Sequence, residues 1–162
     1  MVDIKIRELQ KEDIETLAEI NITTFPWTSF KLTHKAAAKF LQDRLDKQMV
    51  YVAVKDDQVI GFIAMKRDFL FGNYIRRIVI REDLRSKGIG SQLVKYVEEL
   101  TFGNNIPNLY LICTTTNAKA IAFYIKNGFK IIGEITNFVD EGLDEYILRK
   151  TIGTINEFKL YD

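Results

Sequence analysis

Apolar positions along the chain fall into two rhythms: stretches at helical spacing, and short runs between them that suit strands. Residues 2–9 alternate imperfectly through Ile4, Ile6 and Leu9 and predict an edge strand. A helix follows, with Ile14, Leu17, Ala18 and Phe25 on one face and acidic residues in its first turn, where the helix dipole favours them. The stretch "PWTSF" breaks it. Residues 34–48 predict a second helix, with Thr33 as N-cap and a weaker stripe through Ala37, Phe40, Leu41 and Leu45. "MVYVAVK" and "VIGFIAMKR" read as two strands joined through "DDQ", and "FLFGN" turns the chain into a third, "YIRRIVI". Ile89, Leu93, Val97 and Leu100 then mark a helix ending near Gly103. "NLYLICT" is a short buried strand, "NAKAIAFYIKNGF" a helix between Asn117 as N-cap and Gly128 as C-cap, and "KIIGEI" and "GLDEYILRK" a closing hairpin. The strand–helix–strand unit around residues 74–114 predicts a parallel pair through a right-handed crossover. The expected architecture is α/β, a mixed sheet with helices on both faces. Residues 1–150 form one domain and residues 151–162 an added tail that packs on the domain or across a subunit contact.

Composition narrows the partners. The chain has 162 residues, 47% hydrophobic and 28% charged, with a formal net charge of +1. That describes an ordinary globular domain and argues against bulk nucleic acid or an anionic membrane as the main partner. No apolar run approaches a membrane span and the N-terminus lacks a signal-peptide core, so a cytoplasmic location is expected. One cysteine, Cys113, rules out an intrachain disulfide, and one histidine, His34, supplies neither a metal centre nor a Ser/His/Asp triad; no metal is expected.

The candidate chemistry starts at "RSKGIG", residues 85–90, between a β-branched strand and an amphipathic helix. Glycine permits positive φ and close backbone approach, and a helix start presents unpaired N–H groups at the positive end of the dipole. Together they make an anion seat. It is not a dinucleotide fingerprint, because Leu93 stands where G-x-G-x-x-G needs its third glycine, and not a Walker loop, because Lys87 precedes Gly88. Taken alone, the motif is equally a plain Gly-rich turn.

It is not alone. "RSKGIG" fits the R/Q-x-x-G-x-G/A loop, and "NAKAIAFYIKNGF" the N-x-x-A-x-x-x-Y-x-x-x-G-F signature, of the GNAT superfamily of acyl-CoA N-acyltransferases, in the right order and spacing. The chain resembles that family over roughly residues 3–150. The resemblance implies a fold of about seven strands and acetyl-CoA as cosubstrate. Its pyrophosphate would lie on the main-chain N–H groups of Ser86, Lys87, Gly88, Ile89, Gly90 and Ser91, with Arg85 and Lys87 adding charge. Its pantetheine arm would pair with Ile78, Val79 and Ile80 like an added strand, and Asn117 and Lys126 would contribute further contacts. The same resemblance makes Tyr124 the general acid for the departing thiolate and puts an oxyanion donor near Val79–Ile80.

For the acceptor the sequence says less. Phe25, Pro26, Trp27 and Phe30 lie where the family builds its acceptor groove, although a lone Trp is also ordinary packing. "FPWTSF" is similar to a stretch of the ribosomal-protein N-terminal-alanine acetyltransferases, but Ile112 occupies the position of that branch's glutamate base, and its tyrosine pair is missing from "TNFVDEG". Tyr74, which is also expected to line the acceptor groove with Phe25 and Trp27, or a water held by Glu134, Asp140, Glu141 or Asp144, are the remaining candidates for the base. An α-amine, with a pKa near 8, needs less help than a lysine near 10.4. Cys113, in an apolar strand with no histidine nearby in sequence, reads as inert, which favours direct transfer over an acyl-cysteine. The expected partner is an amine acceptor: a protein N-terminus, a lysine or a small amine such as a polyamine. The chain is expected to be a monomer or homodimer. The missing base also leaves open a non-catalytic acyl-CoA-binding module, and a nucleotide-binding regulator is the more distant rival.

Overall fold

The computed structural model describes residues 3–158, and its order of elements is the predicted one. β1 (Lys5–Glu8) leads through a short 3-10 turn into α1 (Ile14–Ile22) and α2 (His34–Gln42). A meander follows: β2 (Val50–Lys55), β3 (Gln58–Lys66) and β4 (Gly72–Ile80). Then come α3 (Ile89–Gly103), β5 (Asn108–Thr114), α4 (Ala118–Lys126), β6 (Lys130–Ile135) and β7 (Glu145–Thr151). The seven strands are ordered β1-β2-β3-β4-β5-β7-β6, with β1 at an edge as expected. β4 and β5 are parallel, Gly72–Ile75 running beside Asn108–Leu111, and the β1/β2, β2/β3, β5/β7 and β6/β7 pairs are antiparallel. Among the described residues no helix is long and apolar enough to cross a membrane.

The contacts divide the chain into two compact units. One runs through Met65 and adds Arg77–Tyr96; the other takes Lys66–Arg76 and the chain from Val97 onward. In the first, side chains on β2 alternate between two faces. Val50 and Val52 join Phe62, Ala64 and Val79 under Leu17 of α1 and Leu41 of α2, while Tyr51 faces the other way, its ring 5.0 Å from Tyr96 of α3. Helices therefore cover both faces here. In the second unit, Leu109, Leu111 and Leu148 are fully buried, and Lys150 of β7 reaches Glu98 of α3 at 2.6 Å and the Asn127 carbonyl at the end of α4 at 2.9 Å.

Two helices end earlier than the sequence predicts. α1 stops at Ile22, because the Thr23 and Thr24 hydroxyls both donate back to the Ile20 carbonyl, at 2.9 and 2.8 Å, and Pro26 disfavours a helical Phe25. Phe25 is therefore not on the buried face; it lies beyond the helix, 51% exposed. α2 stops at Gln42 rather than 48, its N-cap at Thr33 as expected, with Thr33 Oγ1 accepting from Ala36 N. Arg44 donates to the Phe40 carbonyl at 2.8 Å and Lys47 to that of Asp43, so the cations beyond the end cap orphan carbonyls instead of extending the helix. The described part of the tail forms a 3-10 turn, Ile155–Phe158, with no buried residue in it; residues 159–162 of the expected tail lie outside the described residues.

Candidate active site

The anion loop belongs to the first unit. β4 ends at Ile80, a short 3-10 turn (Glu82–Leu84) follows, and α3 begins at Ile89. Gly88 adopts φ +84° and Ser86 φ +61°, the left-handed conformation that reverses the chain before the helix. Gln92 N bonds the Gly88 carbonyl at 3.2 Å, so the amides ahead of Gln92 have no helical acceptor and open at the positive end of α3. Ser86, Lys87 and Gly88 are exposed, whereas the Ile89 side chain is 1% exposed; Ile89 anchors the helix start and leaves only its main chain to the loop. The Arg85 guanidinium turns inward, donating to the Ile80 carbonyl at 3.1 Å and to Thr24 Oγ1 at 3.0 Å. The loop is thereby tied to β4 and to the end of α1. At Gly61 of β3 any Cβ would stand 2.4 Å from the Val79 carbonyl, so only glycine lets β3 pass this close to the strand expected to pair with pantetheine. Ile78 and Ile80 are half-buried and Val79 is buried.

Trp27 is half-buried and packs on the core of the same unit, its ring 6.1 Å from Phe30. The buried Arg77 guanidinium lies over Trp27 at 3.9 Å and over Phe40 at 3.8 Å. This cation between two aromatic rings fixes the segment between α1 and α2 against β4. No local signal announces it, since "IRRIVI" does not say which arginine points inward.

The second unit gathers the titratable groups. Tyr124 on α4 is buried, its ring 5.1 Å from Phe123 and 5.9 Å from Phe129. Burial pushes its phenol above the ordinary value, with Cys113 and Tyr74 adding to the shift. Cys113 is buried in β5 and its thiol is pushed up to about 12 by burial and then by Glu145, as an inert thiol should be. Burial also raises the Tyr74 phenol, partly offset by Arg76. Asn117 caps α4, accepting from Ala120 N at 3.2 Å, and Lys126 is exposed.

The carboxylates named as candidate water-holders lie at the surface. Glu134, Asp140 and Glu141 are exposed, and Asp144 Oδ1 accepts from Asn137 N at 2.9 Å within the loop before β7. The buried carboxylate is the next one, Glu145, 4% exposed and accepting from Thr114 Oγ1 at 2.9 Å. Burial raises its carboxyl, and the Thr114 hydroxyl pulls it partly back. In sequence the charge run "DEGLDEY" conceals which carboxylate is buried; the signal is the alternation of Glu145 with Ile147 within the strand "GLDEYILRK".

An amide-lined seat at a helix start suits an anionic ligand, and in the other unit a buried phenol and a buried carboxyl are groups able to exchange protons. The acetyltransferase (GNAT) family model matches residues 14–129. The chain belongs to this family and is an N-acetyltransferase. It is similar to an N-alpha-acetyltransferase of Saccharolobus solfataricus, 24% identical over 93% of this chain and 94% of the relative. It is also similar to the peptidyl-lysine N-acetyltransferase YjaB of Salmonella typhimurium, 31% identical over 80% of this chain and 86% of the relative. Its fold matches the PaiA N-acetyltransferase of Thermoplasma acidophilum in complex with coenzyme A, at a TM-score of 0.73 and 23% identity, covering 93% of this chain and 100% of that one.

Proposed function

We propose that this acetyltransferase moves the acetyl group of acetyl-CoA directly to a primary amine, and that the amine is the α-amine of a polypeptide. The observation that carries the cosubstrate is the loop before α3, where left-handed Ser86 and Gly88 and the unpaired helix-start amides fit a diphosphate. Lys87 is exposed there and supplies charge, while Arg85 holds the loop in shape. The amine nitrogen attacks the thioester carbonyl, the oxyanion takes a hydrogen bond from main-chain N–H near Val79–Ile80, and Tyr124 gives its proton to the thiolate as the C–S bond breaks. Burial keeps the proton on the Tyr124 phenol at neutral pH, where it is available to the departing thiolate. An inert Cys113 supports direct transfer over an acyl-enzyme. The α-amine is favoured because it deprotonates near pH 8 and asks least of a base, and one relative that spans nearly the whole chain is an N-alpha-acetyltransferase.

The test is CoA release from acetyl-CoA with an Ala-initiated peptide, the same peptide N-terminally blocked but carrying a lysine, and spermidine. The free α-amine should give the highest kcat/KM. Preference for either other amine overturns the acceptor assignment, and no release with any amine while acetyl-CoA binds overturns the transfer itself.

A further inference from the structure

We propose that Glu145 is the proton acceptor of the reaction, receiving the proton that the acceptor ammonium must lose before its nitrogen can attack. The inference rests on the acetyl-transfer reading and names the base that reading lacks. The register places Tyr74 beside Tyr110, Ile112 beside Ile147, and Thr114 beside Glu145. Strand side chains alternate, so these residues share one face. Lys150, of opposite parity on β7, turns to Glu98 of α3 and to the end of α4. Glu145 therefore lies on the face turned away from α3 and α4, where Tyr74, Ile112 and Ile147 are only half-buried. Ile112, where a carboxylate is missing, sits beside Ile147, and the carboxylate appears instead two residues back along β7 on the same face.

The surroundings suit a base. Thr114 Oγ1 donates to Oε1 at 2.9 Å and fixes the carboxyl, whose other oxygen remains for a proton. The ionisable groups about it are Cys113 on β5 and Tyr74 on β4, the latter in contact with Arg76; β6 sets apolar Ile135 opposite Glu145 and puts Glu134 opposite Tyr146. Among the described residues none of these is a cation paired to Glu145 that would hold it in the anionic form. A carboxyl raised by burial is a stronger base than a solvated one. The balance closes. The ammonium gives one proton to Glu145, its nitrogen forms the C–N bond, and the C–S bond breaks. The thiolate takes the Tyr124 proton, the proton still on the new amide nitrogen leaves to water, and the Tyr124 phenolate takes one back from water. Glu145 then releases its own proton to solvent. Acceptor and donor stay apart, Glu145 on the open face and Tyr124 on the helix that covers the other.

The experiment is the pH profile of kcat/KM for the wild type, Glu145→Gln and Thr114→Val, using the Ala-initiated peptide, or spermidine if that is the amine turned over. Glutamine keeps the shape and still accepts from Thr114. It should lower kcat/KM at neutral pH about a hundredfold or more and abolish the acid limb, with acetyl-CoA affinity unchanged. Thr114→Val removes the bond that favours the anion, so the acid limb should move to higher pH. A packing role would move neither limb. An acid limb retained in Glu145→Gln overturns the assignment while leaving acetyl transfer intact, and absence of wild-type turnover overturns both. If Glu145→Gln does not fold, an unmoved limb in Thr114→Val overturns it.

Discussion

Tyr124 keeps its proton at neutral pH because burial disfavours the phenolate, and the same burial makes it part of the core under α4. Packing and chemistry can be separated by removing one oxygen. Tyr124→Phe keeps the ring against Phe123 and Phe129, so stability should hold while kcat falls roughly ten- to a thousand-fold and acetyl-CoA affinity stays level, as expected for a group that acts in the transition state. Turnover at the wild-type rate, with chemistry shown to limit it, would leave Tyr124 as packing. Arg77 is the converse case, a buried cation whose visible work is to clamp Trp27 and Phe40.

At the scale of elements, the loop before α3 joins backbone shape to charge. Gly88→Val sets a β-branched side chain at φ +84° and fills the amide-lined seat. Acetyl-CoA affinity should drop roughly a hundredfold, equivalent to losing about two charge-assisted hydrogen bonds. The site is exposed, so circular dichroism should still report a folded domain. Calorimetry that finds unchanged affinity would move the seat elsewhere. This loop, like the strand–helix order and the caps at Thr33 and Asn117, was legible because its signals are local: glycine, apolar period, a side chain three residues from the amide it caps. What the sequence concealed depends on which competitor takes a backbone group. Phe25 looks helical until two threonines claim the Ile20 carbonyl. Residues 43–48 keep the period of α2, yet Arg44 and Lys47 close its end. Glu145 was concealed for a longer-range reason, since its burial is decided by registry with Thr114, 31 positions away.

For the molecule as a whole, the tail is the open piece of organisation. Ile152 N bonds the Pro107 carbonyl at 3.1 Å and the Phe158 ring closes over Gly153, where a Cβ would stand 2.7 Å from it, yet Ile152 is 51% exposed. We expect truncation after Ile152 to leave the oligomeric state unchanged and to lower the melting temperature by about 2–8 °C, the effect of losing about 1–2 kcal/mol of partial burial. Light scattering with calorimetry decides, and a dimer that dissociates on truncation would assign the tail to a subunit contact. Glu145, too, bears on the whole molecule. Its carboxyl is harder to ionise in the folded chain than in the unfolded one. Its contribution to stability is therefore fully present below the unfolded-state pKa and is lost as pH rises through the folded value. At neutral pH the folded domain carries a standing thermodynamic handicap at that one carboxyl, which an amide of the same shape would relieve. Under the proposal that Glu145 is the base, that carboxyl trades durability for turnover, and Glu145→Gln should melt higher than the wild type at neutral pH while turning over more slowly.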